Sequence, residues 1–426
     1  MGYVADLHLH SPYAYACSKN LTLENLSSWA KVKGIDLLSS ADFTHPIWRD
    51  ELRRKLMPGE PGLYVYNGVN YVLGTEISCV YTQGGRPRRV HLLLLVPDFD
   101  TVDRLSLALA EGKNTLQSDG RPTLKMSARD FAFLALETNP GCIIIPAHVW
   151  TPWYGMLGSK SGFDSLEECF QDMTPEIHAV ESGLSSDPSM IWPISELADK
   201  SIVSFSDAHS PSKLGRELTV FEGELSYQGL TEALACQKVA YTVEFYPEEG
   251  KYHYTGHRKC GVRQTPIETR QQGPHCPVCR RPLTLGVLHR AELLSNRSQS
   301  AGPQLAGPQF SDTGRAVYGP DGFVRNTQRR PPFIRLVPLL EIISETLGRG
   351  PSTKRVEAEY GRLTQELGNE LYVLMRAGAA DLTEVAGERV AQAVLSARVG
   401  DVEVEPGFDG VYGKVRLRPT GNFKEM

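Results

Sequence analysis

The sequence predicts an α/β fold: a largely parallel sheet, open or closed as a barrel, then a small metal-stapled module and a mainly helical C-terminal domain. Three observations predict it. Residues 1–245 alternate strand-like and helix-like segments. Residues 251–290 hold few apolar residues but gather Cys260, Cys276 and Cys279. Residues 331–426 return to globular, largely amphipathic helical patterning.

The elements follow in order. "GYVADLHLH" reads as a buried strand, and "LTLENLSSWAKVKG" as a helix that Thr22 caps and Gly34 stops. "IDLLSSADF", "NYVLGTEIS" and "RVHLLLLVP" are strands, the last a continuous apolar run. "SARDFAFLALET" is a helix, "GCIIIPAH" and "EIHAVES" are strands, "SMIWPISELADK" is mostly helix and "SIVSFSDAH" is a strand. Residues 291–330 are rich in Gly, Ser, Gln and Pro and read as a linker or mobile insertion. Beyond them, "LVPLLEIISETLG", "TKRVEAEYGRLTQELG" and "DLTEVAGERVAQAVLSARVG" are helices, and the final stretch is a hairpin turning at "GFDG".

Composition narrows the function classes. At 41% hydrophobic and 22% charged residues, the chain is neither disordered nor membrane-like. No apolar run approaches the roughly 20 residues that span a bilayer, and no secretory signal opens the chain. A cytoplasmic protein is therefore expected, with its clustered cysteines on metal rather than in disulfides. The net charge of −5 conceals an asymmetry. Residues 251–335 carry 14 Lys and Arg against 4 Asp and Glu, a net of +10, which leaves −15 for the rest. One basic segment on an acidic protein is the footprint of a local polyanion contact, though a solvated Arg-rich face would look the same.

The first domain repeatedly ends its strands in metal-ligand chemistry. His8 and His10 close the first strand, Asp42 the next with His45 three residues on, and Glu76 the "YVLGTE" strand. His91 lies in "RVHLLLL", His148 ends "IIIPAH", Glu181 ends "HAVE", and Asp207 with His209 ends "SFSDAH". That edge of a parallel α/β sheet is where ligands bind. Imidazole and carboxylate suit zinc, manganese and iron, and a carboxylate bridges two ions. A lone strand histidine is usually a core or surface residue, and a lone Asp a turn or cap. Neither ordinary role accounts for two such pairs together with Glu76 and His148. His45 and Glu181 are even between ligand and supporting residue, and His178 is structural.

The cysteine segment contains Cys276-x-x-Cys279, a zinc-wrapping knuckle, with Cys260 as a third thiolate. A four-cysteine site needs cysteine at 263, where Arg263 stands. His257, three residues before Cys260, is the favoured fourth ligand, with His253 and His275 as alternatives. Such a closed site supplies folding energy rather than catalysis.

The motifs "DLHLH", "ADFTHP", "GTEIS", "PAH" and "SDAH" resemble those of the polymerase and histidinol phosphatase (PHP) family. "VESGLSSDP", "KYHYTGHRKC", "CPVCRRPLTLGVLHR" and "PGFDGVYG" extend the likeness over nearly the whole chain to a DNA-repair endonuclease of that family. The resemblance implies a distorted PHP-type β/α barrel with two or three divalent ions (Zn, Mn or Mg), beside the one structural Zn of the cysteine module. His8, His10, Glu76 and Asp207 would hold one ion, and Glu76 would bridge to a second held by His91 and His148. Asp42, His45 and His209 would serve a third. Catalysis would rest on Asp207, Glu76 and His148. Two departures bear on the third ion: Phe43 follows Asp42 where PHP proteins have histidine, and Tyr13 and Tyr15 stand where another histidine is common.

The implied activity is nicking on the 5′ side of deaminated bases (uracil, hypoxanthine, xanthine) or abasic sites, after base flipping. The implied partner is damaged double- or single-stranded DNA, handled by a monomer that meets other repair or replication proteins and no membrane. Candidate DNA contacts are Lys19, Trp150, Trp153, Lys213, Arg216, Arg258, Lys259, Arg280 and Arg281. The competing reading is a small-molecule phosphomonoesterase of the histidinol-phosphatase type, which would need neither the basic module nor the C-terminal domain.

Overall fold

The computed structural model describes residues 2–111, 115–299, 316–328 and 330–418. The strands at Gly2–Asp6, Leu37–Ser39 and Val69–Gln83 run parallel side by side. Arg86–Val96 folds back antiparallel on Val69–Gln83, and Ile143–Pro146 pairs antiparallel with Arg86–Val96. Ala179–Glu181 and Ser201–Val203 form a parallel pair. Two contacts carry the ring across its gaps: the Val149 N–H donates to the Glu181 carbonyl at 3.0 Å, and Leu9 bridges Ala208 in parallel. The result is a distorted barrel whose sheet is mixed rather than largely parallel. "QGGR" explains the difference. Gly84 and Gly85 have φ of 59° and 72°, the two left-handed residues of a tight hairpin turn, so the chain reverses there without a crossover helix.

Local chemistry sets the helices. Leu23–Lys33 starts at Thr22, whose hydroxyl accepts from the Asn25 N–H, and stops at the left-handed Gly34. Ala128–Thr138 starts at Ser127 in the same way. "SMIWPISELADK" forms two single 3₁₀ turns, Pro188–Met190 and Ser195–Leu197, rather than a helix. Pro193 lies between them, and its missing N–H and ring forbid a continuous helix. Alternate strand residues Ala5, Leu7, Leu93, Leu95, Ile145 and Phe205 pack into one apolar cluster with Leu230 and Leu234 of the helix Tyr227–Ala235.

The sheet also extends away from the ring, through Leu218–Glu222 and Val239–Glu244 to Phe333–Arg335, which lies parallel to Val239–Glu244. The segment expected as a linker therefore carries regular structure where it is described. Val287–Gln299 is helical, and Ala316–Tyr318 with Phe323–Asn326 forms a hairpin on the outer edge of that sheet. Residues 300–315 lie outside the described residues. The C-terminal unit packs Leu339–Leu347, Lys354–Glu366, Glu370–Met375 and Ala379–Arg398 around Ile342, Ile343, Leu363, Val373 and Val394. The last helix breaks at Gly387, where φ is 77° and ψ 161°. Val402–Glu405 and Lys414–Leu417 close the expected hairpin. Among the described residues no helix is long and apolar enough to cross a membrane.

A polar seam lies inside this frame. Glu217 and Glu244 are both fully buried. Ser204 donates to Glu244 Oε1 at 2.5 Å, and Thr242 also bonds that carboxylate. Burial lifts the Glu244 carboxyl to about 8, and burial together with Glu244 lifts Glu217 as well. The folded chain thus holds protons that the unfolded chain has released, and stability falls as pH rises from the ordinary carboxylate range toward 8. Glu244→Gln removes the share of that loss that Glu244 carries. Its melting temperature relative to wild type is expected to rise between pH 5 and pH 8; a difference independent of pH would refute the assignment.

Candidate metal centre

The strands deliver their ligands by different routes. His8 and His10 flank Leu9, whose bridge to Ala208 sets them beside Asp207 and His209. Glu76 lies in the middle of a strand that runs on to Gln83, opposite Leu93, rather than at a strand end. His91 sits on the neighbouring strand, two residues from that register. Asp42, His148 and Asp207 occupy the turns after their strands with φ of 40°, 31° and 45°. Left-handed backbone at non-glycine residues costs energy and is held only where the surroundings enforce it, commonly at functional sites.

Glu76 is the hub. Its Oε1 lies 2.6 Å from His91 Nδ1 and 3.2 Å from His148 Nε2. Its Oε2 lies 3.0 Å from Arg121 Nη1, 3.5 Å from His10 Nε2 and 3.6 Å from His8 Nε2. Asp207 Oδ1 stands 3.0 Å from His10 Nε2 and 3.5 Å from both His8 Nε2 and His209 Nδ1. Three ligand groups result: His8, His10 and Glu76; Glu76, His91 and His148; and His10, Asp207 and His209.

The donor set fits divalent cations. His8 Nε2 is buried without a hydrogen-bond partner, yet two carboxylates stand near it. An unpaired imidazole nitrogen aimed between carboxylates is costly unless an ion completes it. Charge tells the same story. Burial opposes a charge on His10, but Asp207 and Asp42 hold it up to about 9. Burial likewise opposes ionisation of Glu76 and Asp207, but the surrounding imidazoles, with Arg121 beside Glu76, hold both well below the usual carboxylate range. Burial pushes His91 down to about 4, so it stays a neutral ligand. The carboxylates demand positive charge, and a divalent ion held here would meet that demand in place of the imidazole protons.

Several neighbours act through the ligands. Glu181 lies 2.9 Å from His8 Nδ1 and accepts the His148 backbone N–H at 2.7 Å, so it orients two ligands at once. Glu181→Gln is expected to weaken barrel metal binding about 10- to 100-fold, measured by titration against a competing chelator; unchanged affinity would refute the orienting role. Gly183 has φ +79°, and a Cβ there would overlap His148 Cβ, so the loop closes on His148 only with glycine. Arg121, which the sequence reading missed, enters from a loop without strand or helix patterning.

The expected third group of Asp42, His45 and His209 is not brought to one point. Asp42 accepts from the Ser11 N–H at 2.6 Å and lies 3.4 Å from His10 Nδ1. His45 stacks on Tyr13 at 4.3 Å between centroids and places Nε2 3.2 Å from the Gln117 carbonyl, while its Nδ1 is buried without a partner. His45 thus engages its ring with Tyr13 and Gln117 and joins none of these ligand groups. His209 instead joins His10 and Asp207.

The expected DNA contacts divide. Arg258, Lys259, Arg280 and Arg281 are exposed on the cysteine module. Trp153 is 37% exposed, and with Tyr252, His257, Arg258, Lys259 and Asp409 it lines a notch of about 260 Å³. Trp150 is 1% exposed, filling the core, and has no face for a base. Lys19 donates to the Pro12 carbonyl at 2.6 Å, and Lys213 pairs with Glu341 at 3.0 Å. Arg216 donates to the Ser206 and Asp207 carbonyls at 2.8 and 3.2 Å, bracing the Asp207 turn.

In the module, His257, Cys260, Cys276 and Cys279 converge with ligand atoms within 4.8 Å of one another. His257 thus stands in the fourth position. His253 is buried against the Ser185 carbonyl instead. Burial resists ionisation of Cys276, but the Cys279 N–H and His257 draw its thiol down to about 6, toward the thiolate that zinc binds. The "PGFDGVYG" turn docks here. Asp409 accepts from the Arg258 N–H at 2.8 Å and from Thr284 at 2.7 Å, and Tyr254 N–H donates to the Gly407 carbonyl at 2.9 Å.

A distorted barrel, a carboxylate shared between histidine groups, and a cysteine module together define a metal-dependent PHP-type phosphoesterase. The crystal structure of the lesion-specific endonuclease PfuEndoQ from Pyrococcus furiosus matches at a TM-score of 0.80 and 30% identity, covering 98% of this chain and 96% of that one. Endonuclease Q in complex with a 27-mer duplex bearing an abasic lesion at the active site matches equally, at TM-score 0.80 and 30% identity over 99% and 97% of the two chains. The chain belongs to the endonuclease Q family. The "MJ0043 C-terminal domain" family matches residues 338–401, the helical unit. Protein MJ0043 of Methanocaldococcus jannaschii is 32% identical over 278 residues, 63% of this chain; the match spans 31% of that protein's length.

Proposed function

We propose that this protein is a DNA-repair endonuclease that nicks the phosphodiester 5′ to a damaged nucleotide: an abasic site or a deaminated base such as uracil, hypoxanthine or xanthine. The observation that carries the reading is Glu76 shared between two ligand groups, in a chain alike over its full length to an endonuclease crystallised on abasic DNA. Divalent ions at these groups would supply an activated water and neutralise charge on the phosphate. His8, His10, Glu76 and Asp207 hold one side of the centre, and His91 and His148 the other. Glu181 fixes the His8 ring, and Arg216 fixes the Asp207 turn. The water oxygen bonds to phosphorus, the P–O bond to the leaving sugar oxygen breaks, and that oxygen takes up a proton. The exposed arginines and lysine of the module supply phosphate contacts. The Trp153–Tyr252 notch offers ring faces to an unstacked base, which a lesion makes easier to extrude.

The test uses end-labelled duplexes carrying one uracil, one hypoxanthine, one abasic site or only normal bases, with Mn²⁺, Mg²⁺ or Zn²⁺. A nick 5′ to the lesion, absent with Asp207→Asn, is the expected result. Turnover of p-nitrophenyl phosphate with every duplex intact would establish the phosphomonoesterase reading instead.

A further inference from the structure

The loop Gln117–Arg121 covers the side of the centre where a third ion was expected. Gly120 donates its N–H to the Tyr13 carbonyl at 3.1 Å and lies so close to Asp42 that a Cβ would overlap the Asp42 carboxylate. The Gln117 carbonyl faces His45 Nε2. Asp119 Oδ1 accepts the N–H groups of Tyr15 and Arg121 at 3.0 and 3.1 Å, tying the loop to the chain just after His10. The loop ends by placing Arg121 Nη1 3.0 Å from Glu76 Oε2. Among the described residues, Arg121 is the only Lys or Arg in ion-pair contact with Asp42, Glu76 or Asp207.

Two further facts give this cation a task. The Arg121 side chain is 21% exposed while Glu76 is fully buried, so the guanidinium links the buried hub to solvent. Its one side-chain hydrogen bond among the described residues goes to Glu76, while a guanidinium has five N–H donors in a planar fork. The remaining donors are free for an anion that arrives at the hub, and the fork matches two phosphate oxygens better than a point charge does.

We propose that Arg121 is a catalytic residue: its guanidinium takes the place of a third cation and grips the non-bridging oxygens of the scissile phosphate. This rests on the phosphodiesterase reading above. The positive charge is covalently fixed, so it is present whatever the metal supply, and it is held by Glu76 at the position where charge develops as the water attacks.

The experiment compares wild type, Arg121→Ala and Arg121→Lys, each metal-loaded, in three measurements: elemental analysis, single-turnover nicking of a lesion duplex, and calorimetric titration with inorganic phosphate. The same metal content is expected in all three proteins, a barrel pair beside the module zinc. Arg121→Ala is expected to slow nicking about 10²- to 10³-fold, with little change in duplex affinity, since one phosphate contact among many is lost. Its affinity for phosphate should fall about tenfold, and Arg121→Lys should recover part of both losses. A third barrel ion in wild type, loss of barrel metal in Arg121→Ala, or nicking by Arg121→Ala at the wild-type rate would each overturn the inference. If wild type nicks no lesion duplex, the functional reading fails, and the phosphate titration still decides on Arg121: weaker binding by the alanine variant supports the grip, equal binding removes it.

Discussion

Glu76→Gln is expected to lower lesion-directed nicking by more than about 10³-fold, beyond the loss from a single transition-state donor. The substitution keeps the shape of the side chain but removes its charge and one of its two acceptor oxygens. One oxygen serves His91 and His148, and the other serves His8, His10 and Arg121. An amide cannot present two anionic oxygens, so both ligand groups lose their common member. Elemental analysis should show depleted barrel metal with the module zinc retained, and thermal melting should show a folded chain. Retention of full barrel metal and wild-type nicking would remove Glu76 as the shared ligand.

Cys276→Ser is expected to release the module zinc and cost the fold several kcal/mol, since structural zinc contributes about 10–16 kcal/mol in isolated zinc-finger peptides at neutral pH. Cys276 is fully buried, in a segment, residues 251–290, that holds few apolar residues. Its loss should spread along the bonds that meet at the module: Arg258 to Asp409, Thr284 to Asp409, and Tyr254 to Gly407. Hydrogen exchange should accelerate at Tyr254 and Arg258 while the barrel strand Arg86–Val96 stays protected. Unchanged zinc content, or unchanged protection at those amides, would show that the four ligands do not hold the module.

The sequence displayed the ligand types because chemistry restricts them: His8, His10, Glu76, His91, His148, Asp207 and His209 all reach the ligand groups. It displayed Thr22, Gly34 and the terminal hairpin because caps and turns are local. It did not display Arg121, since nothing within a few residues marks an arginine that pairs with a carboxylate 45 positions earlier. The grouping of His209 with His10 instead of Asp42 and His45 was equally hidden. It depends on the Tyr13 stack and the Gln117 carbonyl, both non-local contacts of His45. The mixed sheet was written in "QGGR" but outvoted by the strand–helix alternation around it. Trp150 could not be told from Trp153 by residue type; only packing makes one core and leaves the other at the surface.

The strand Val239–Glu244 leaves the sheet into the cysteine module, and the chain re-enters the same sheet through the edge hairpin Ala316–Tyr318 and Phe323–Asn326 and then as its parallel neighbour Phe333–Arg335. The terminal hairpin then reaches back to clasp the module through Asp409. The module is therefore an inset, framed by structure that precedes it and structure that follows it, and an ion held by His257, Cys260, Cys276 and Cys279 would fasten the frame as much as the module. A chain made under zinc scarcity would lack more than a basic patch: the last strand, the helical unit and the final hairpin would all have to find their places around an unformed centre. Supply of the module ion would then limit how much nuclease matures, upstream of any effect on the ions at the barrel.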